Sequence, residues 1–149
     1  MRQDTRLSRV LHALLHLDLM EAPATSERLA QMLQTNPAVV RRTMSGLREA
    51  GIVTATKGHG GGWLLARPLT DISLMDIYAA LGSPELFAIG KDEETPACLL
   101  ARAANAATIT ALESARLTFE QSLREVSVAD LRAAPDMAAC FTADAVPRD

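Results

Sequence analysis

Aromatic side chains are scarce: one Trp, one Tyr and three Phe in 149 residues. Any core must therefore be filled by aliphatic groups, and Ala (26) and Leu (21), both strong helix formers, supply most of them. Only two cysteines occur, Cys98 and Cys140, too few for a disulfide framework or, by themselves, a structural zinc site. No stretch approaches the roughly 18 unbroken apolar residues of a membrane span. The apolar segment Val10–Leu19 carries His12, His16 and Asp18, which excludes a signal-peptide core, so the chain is read as soluble and cytoplasmic with no membrane partner. At 48% hydrophobic and 22% charged residues, disorder is excluded as well.

The net charge of −3 conceals an uneven distribution. Residues 1–70 hold nine Arg/Lys against five Asp/Glu; residues 71–149 hold six against thirteen. A basic first half joined to an acidic second half suits an anionic partner met by one half only.

Pro23, Asn36-Pro37, the glycines of 58–62, Pro68, Gly82-Ser83-Pro84 and Pro96 divide the chain. Leu7, Leu11, Leu14 and Leu15 give 5–20 the spacing of an amphipathic helix. Thr25 or Ser26 can cap a short helix over 27–34. Pro37 then opens a third helix that stops at Gly51. The period changes at Ile52–Thr56, which is β-rich, as is Trp63–Ala66 beyond the loop 57–62; together they predict a hairpin, with Trp63 packing it onto the domain. Ser73 caps a further helix over 73–81, and 83–96 reads as an acidic connecting loop. From 97 to 134 there is neither Gly nor Pro. This predicts a long helix whose Ile109, Leu112, Phe119, Leu123 and Val126 recur at steps of three and four, interrupted by Arg116. Ser127 then caps a short helix over 128–134, and 135–149 is expected to be a flexible tail.

Three short helices followed by a hairpin make a winged helix-turn-helix. The fold class expected is mainly α with a small β-hairpin: a DNA-binding domain over 1–82 and a C-terminal dimerisation helix within 97–134. A lone helix cannot bury its own seam, so a two-fold dimer through Ile109, Leu112, Arg116, Phe119, Leu123 and Val126 follows; Asn105 and Arg116 would fix register or pair across it, or stay exposed.

At 100° per residue, Val40, Met44 and Leu47 of the third helix face the core. Arg41, Arg42, Ser45, Arg48 and Glu49 face the other way, with Ala38 at the start. Arginines on one exposed face suit a major groove, since Arg can take guanine O6 and N7 together or bind phosphate; an ordinary solvated face is the alternative. The loop Lys57-Gly58-His59-Gly60-Gly61-Gly62 admits three readings. As a wing tip, its glycines let backbone N–H groups approach phosphate while Lys57 and His59 reach the minor groove. A nucleotide loop is excluded because a strand follows and the spacing is wrong. His59–Gly62 also matches an esterase oxyanion string, but no G-x-S-x-G occurs anywhere. A plain flexible hairpin stays open. His12 and His16 have metal-ligand spacing, but Ala13 stands where a zinc-protease helix carries its glutamate, and no third ligand is evident. Packing beside the apolar stripe is therefore expected, and no metal is assigned. No nucleophile–base–orienter set is visible, and an enzyme is not expected.

Ser26–Leu33, Val40-Arg41-Arg42, Leu47–Val53, Lys57–Arg67 and Ile72–Ala80 together resemble the Rrf2 family of bacterial transcription regulators, and the Gly-Gly-aromatic-x-Leu-Ala-Arg string after a basic wing is the most specific part. The family includes the iron–sulfur cluster regulator, the nitric-oxide-sensitive repressor and the cysteine-metabolism repressor. The resemblance implies a homodimer binding palindromic promoter DNA, usually as a repressor, with Ser26, Ala38, Arg41, Arg42, Ser45, Arg48, Lys57, His59 and Gly60 as DNA-binding candidates. Cluster-binding members carry three closely spaced cysteines; residues 83–104 here hold only Cys98, so no cluster and no other cofactor is carried over. Cys98 stands where many cluster-free members keep a cysteine. It is the candidate for redox sensing, with structural and incidental roles equally open, and a redox or small-molecule effector is expected. The second class of function is a winged-helix module that binds proteins and not DNA; a salt-dependent duplex shift separates the two.

Overall fold

Apolar groups at Val10, Ala13, Leu14 and Leu17 lie on one stripe of the first helix, α1 (Arg6–Leu19), and are buried along it. The computed structural model that shows this describes residues 3–90 and 97–133. Helix α2 (Ser26–Met32) starts where Thr25 Oγ1 accepts the Arg28 N–H at 3.2 Å. A turn with Gln34 at φ +50° leads into α3 (Pro37–Glu49). There Asn36 Oδ1 accepts the Ala38 N–H at 2.7 Å, and Pro37 occupies a first-turn position that needs no donor. Val40, Met44 and Leu47 of α3 are buried as their spacing predicts, and Gly51 at φ +73° closes the helix.

Strands β1 (Val53–Thr56) and β2 (Gly62–Leu65) pair antiparallel, with Val53 opposite Leu65 and Thr56 opposite Gly62. Ala24 adds a single-residue rung to this hairpin: its N–H reaches Trp63 O at 3.0 Å, and the Trp63 N–H reaches Ala24 O at 2.8 Å. The backbones come so close here that a Cβ at position 62 would stand 2.5 Å from Ala24 O. A short 3-10 turn at Leu69–Asp71 follows, then α4 (Leu74–Ala80), opened by a reciprocal cap: Asp76 N–H to Ser73 Oγ at 3.0 Å and Ser73 N–H to Asp76 Oδ2 at 2.9 Å.

Helix α5 (Leu99–Arg124) is the longest element, and the chain beyond it returns to the domain. The Leu74 N–H donates to Val126 O at 2.9 Å, and the Val128 N–H to Ile72 O at 2.8 Å. Arg132 pairs with Asp18 of α1 at 2.7 Å. The core that these elements enclose is aliphatic, as expected, with Leu14, Leu29, Met44, Leu47, Ile52, Leu69, Ile72 and Ile77 fully buried. Among the described residues, no helix is long and apolar enough to cross a membrane.

Four expectations need comment or correction. Residues 128–133 form a 3-10 segment, not an α-helix, although Ser127 and Asp130 do cap it reciprocally. Residue 134, the acidic run 92–94 and the tail from 135, with Cys140, lie outside the described residues. Of the two histidines expected to pack beside the apolar stripe, His16 is half-buried and His12 is exposed, and their Nε2 atoms lie 2.9 Å apart. The seam assigned to dimerisation turns inward over its C-terminal half. Leu123 is buried, and Phe119 lies edge-on to Tyr78 of α4 with centroids 5.4 Å apart. Arg116 is held by Glu113 and Glu120 of its own helix. The reason is that α4 offers Tyr78 as an apolar partner for Phe119 within the same chain, whereas Ile109 at the other end of the seam stays exposed.

Replacing Gly62 with Ala forces the hairpin away from Ala24. The variant is expected to lose about 1–3 kcal/mol of stability, measured by thermal unfolding followed through Trp63, the one tryptophan in the sequence. An unchanged unfolding temperature would show that the approach to Ala24 is relaxed at little cost.

Candidate nucleic-acid interface

The turn between α2 and α3 is short because Leu33, Gln34 and Thr35 fold back on α2. The Thr35 N–H donates to Ala30 O at 2.9 Å and the Leu33 N–H to Leu29 O at 2.9 Å. Burial of Leu29, Ala30, Val40, Met44 and Leu47 fixes α3 against α2, so the opposite side of α3 is left facing solvent. Ala38, Arg41, Arg42, Arg48 and Glu49 are exposed there, and Ser45 is half-buried. Sequence spacing puts the three arginines on one outward face, and the fold keeps them together.

Arg41 alone of these three has an ion-pair partner among the described residues: its Nη1 donates to Glu27 Oε1 of α2 at 3.0 Å. With side chains 55% and 64% exposed, such a pair contributes about 0–1 kcal/mol to folding. Nothing in the local sequence announces it, because the partners stand 14 residues apart on different helices.

At the hairpin tip Lys57, His59 and Gly60 are all exposed. Gly58 and Gly60 adopt φ of +86° and +76°, a region closed to most side chains, and the Gly61 N–H bonds to Gly58 O at 3.0 Å. Below the tip, the Gly62 N–H donates to Thr56 Oγ1 at 3.2 Å, so the glycine run is tied at its base. The result is a narrow projection carrying two basic side chains and little bulk.

Ser26 does not join this surface through its side chain. It is 8% exposed, and its Oγ accepts the Trp63 Nε1–H at 3.0 Å. The helix starts where its sequence predicts, but the hydroxyl turns inward because a buried indole needs an acceptor. Cys98 sits exposed just before α5, where the backbone N–H groups of Ala101 and Leu100 hold its thiol below the ordinary range. Tyr78 moves the other way: burial raises its phenol, with the Glu120 carboxylate adding to the effect, and its O–H donates to Pro84 O.

Comparisons with known proteins agree on one group. The family model described as Rrf2, iron-dependent transcriptional regulator, matches residues 3–134. YwnA of Bacillus subtilis (strain 168), named as an HTH-type transcriptional regulator, is 34% identical over 129 residues, 86% of this chain and 95% of its own. A crystal structure described as a DNA binding protein is 30% identical with a TM-score of 0.69, covering 85% of this chain and 97% of that one. CymR (YrzC), the global cysteine regulator of B. subtilis, shares the fold at 22% identity, with a TM-score of 0.65 over 89% of this chain and 97% of its own. These proteins are described as regulators and DNA binders, not enzymes.

Loss of the Ser26 hydroxyl leaves the indole N–H unpaired. Ser26→Ala is expected to cost about 1–3 kcal/mol of stability and to shift Trp63 emission, while the salt dependence of duplex binding stays that of the wild type. A reduced salt slope would instead return Ser26 to the contact surface.

Proposed function

The chain belongs to the Rrf2 family of transcriptional regulators, and on that premise we propose that it acts in the cytoplasm as a homodimeric repressor on palindromic promoter DNA. The carrying observation is the outward face of α3, where Arg41, Arg42 and Arg48 stand exposed on the second helix of a helix-turn-helix. In this reading Arg41 and Arg48 enter the major groove and contact base edges, and Arg42 clamps phosphate. Ala38 is small enough to let the helix start approach the bases, and Ser45 supplies a hydroxyl beside them. Lys57, His59 and Gly60 lie along the neighbouring backbone or minor groove, where the glycines permit close approach. Ser26 supports this surface from beneath.

The family description names iron, and the donor set of this chain does not fit an iron–sulfur cluster. A cluster takes about four ligands, mostly thiolates, and the sequence supplies only Cys98 and Cys140. Among the described residues, no three His, Cys, Asp or Glu side chains gather around one point. No step of the regulation is therefore routed through iron. Cys98, exposed and shifted toward thiolate, is the group through which a redox effector would act.

The dimer is assigned to a different face of α5 from the inward seam. Ala103, Ala107, Thr110, Ala111, Ser114 and Thr118 form an exposed, uncharged stripe of small side chains. Leu99, Leu100 and Leu117, exposed by 74%, 82% and 55%, extend it. Exposed leucines in this number favour a partner surface, and small side chains let two helices approach closely.

Selection from a random duplex library is expected to return an inverted repeat with half-sites about one helical turn apart. Arg41→Ala and Arg48→Ala should each lose about 1–3 kcal/mol and relax one base position. Arg42→Ala should weaken all sequences alike and reduce the salt slope by about 0.9. Unchanged preference in the Arg41 and Arg48 variants, measured by competition binding, would move the reading surface away from α3.

Ala107→Glu combined with Ala111→Glu should give a folded monomer by sedimentation, with duplex affinity at least about ten-fold weaker because the half-sites are no longer linked. A dimer of unchanged strength would place the interface elsewhere. Phe119→Asp, by contrast, should lower the unfolding temperature, since that ring packs within its own chain.

A further inference from the structure

Arg41 meets an anion before any DNA arrives. Glu27 Oε1 accepts from its Nη1 at 3.0 Å, across the gap between α2 and α3, whereas Arg42 and Arg48 have no such partner among the described residues. The pair lies out in solvent and does little for the fold, so its effect must be sought in where it holds the guanidinium.

A guanidinium is a rigid plane carrying five N–H donors. A carboxylate on one corner leaves the remaining donors available for a second partner, and the plane loses freedom to swing. Two acceptors compete for such an arginine on a duplex: a phosphate, which attracts any cation whatever the sequence, and the neutral O6/N7 pair of guanine, which requires alignment. Pairing with Glu27 cancels the net charge of Arg41. That weakens the phosphate option strongly and the aligned, neutral base edge much less. The carboxylate also lies within a hydrogen bond of the arginine head, so it approaches the polyanion with it, and remaining paired avoids an uncompensated repulsion.

We infer that Glu27 is a positioning residue that sets sequence specificity: it holds Arg41 on the base edge and keeps it from serving as a phosphate clamp. This rests on the assignment of Arg41 to the major groove made above. Without Glu27, Arg41 regains a full charge and a free swing, and becomes one more phosphate contact.

The test uses the whole chain, the duplex selected from a random library, single-base variants of that duplex, and a non-specific duplex, all titrated over a salt series. Glu27→Ala is expected to bind the non-specific duplex more tightly and to lose about five-fold or more of its preference at the base position that Arg41→Ala relaxes. Its salt slope should steepen by about 0.9, one added phosphate contact. In the Arg41→Ala background, Glu27→Ala should change the preference no further. Thermal unfolding is expected to be unmoved, which separates positioning from a structural effect. If Arg41→Ala relaxes a base position while Glu27→Ala leaves preference and salt slope unaltered, this inference is overturned and the reading of α3 stands. If Glu27→Ala acts equally in both backgrounds, its effect does not pass through Arg41 and the inference is overturned as well. If Arg41→Ala itself alters no preference, the assignment of Arg41 falls, and the inference with it.

Discussion

The indole of Trp63 joins the two parts that a DNA-reading surface needs. Its backbone pairs with Ala24 and its ring N–H with Ser26, so one residue fastens the β-hairpin to the entrance of α2. The hairpin's two short strands, marginal alone in water, are also held by Val53, which is buried in the core, and by packing of the strands on α1 and α3. The orientation of α3 depends on the same junction, because α2 packs directly on α3 and α2 begins at Ser26. In a chain so poor in aromatics, one large side chain thus ties the wing directly to the start of the helix-turn-helix. The neighbouring Gly62 is the counterpart of that choice: a bulky ring can be drawn in close only where the residue beside it has no side chain.

Charge is partitioned along the same architecture. The arginines of α3 and the basic residues of the wing belong to the first half of the sequence, while the acidic excess belongs to the second. Over the C-terminal half of α5 charges pair locally: Glu120 is held between Arg116 and Arg124, and its carboxyl lies below the usual range chiefly because of the Arg116 hydrogen bond. The stripe from Ala103 to Thr118 carries no charged residue, and an uncharged face of small side chains suits close packing. Arg42, Arg48 and Lys57 have no ion-pair partner among the described residues, which leaves them free to meet a polyanion, whereas Arg41 on the same surface is paired with Glu27.

Much of this is legible in the sequence, and the legible part has a common cause. Caps at Thr25, Asn36 and Ser73, the stop at Gly51, the burial of Val40, Met44 and Leu47 and the hairpin all depend on residues within a few positions of one another. Local periodicity and turn chemistry report such features directly. What escapes such reading is decided by distant partners. Ser26 has the look of a polar residue at a helix start, and only the fold brings Trp63, 37 residues away, to its hydroxyl. The Phe119 and Leu123 stripe has the spacing of a seam between chains, and spacing cannot say that Tyr78 already occupies it. Glu27 carries no signal at all, since a single exposed carboxylate on a seven-residue helix is ordinary until its neighbour is known.

The return of the chain after α5 has a mechanical consequence. Residues 126 and 128 are hydrogen-bonded to 74 and 72, and Leu123 is buried, so α5 is clamped at its C-terminal end, while Leu99 and Leu100 at the other end stand in solvent. From Leu123 back to Leu99 the helix runs about 36 Å. It is a lever with its fulcrum beside the reading domain. A tilt of about 5° at the clamp sweeps the far end by about 3 Å, close to the rise of one base pair. In any pair of copies joined near the Leu99 end, the same change of about 5° made at that junction would instead move each reading head by about 3 Å, without disturbing either core.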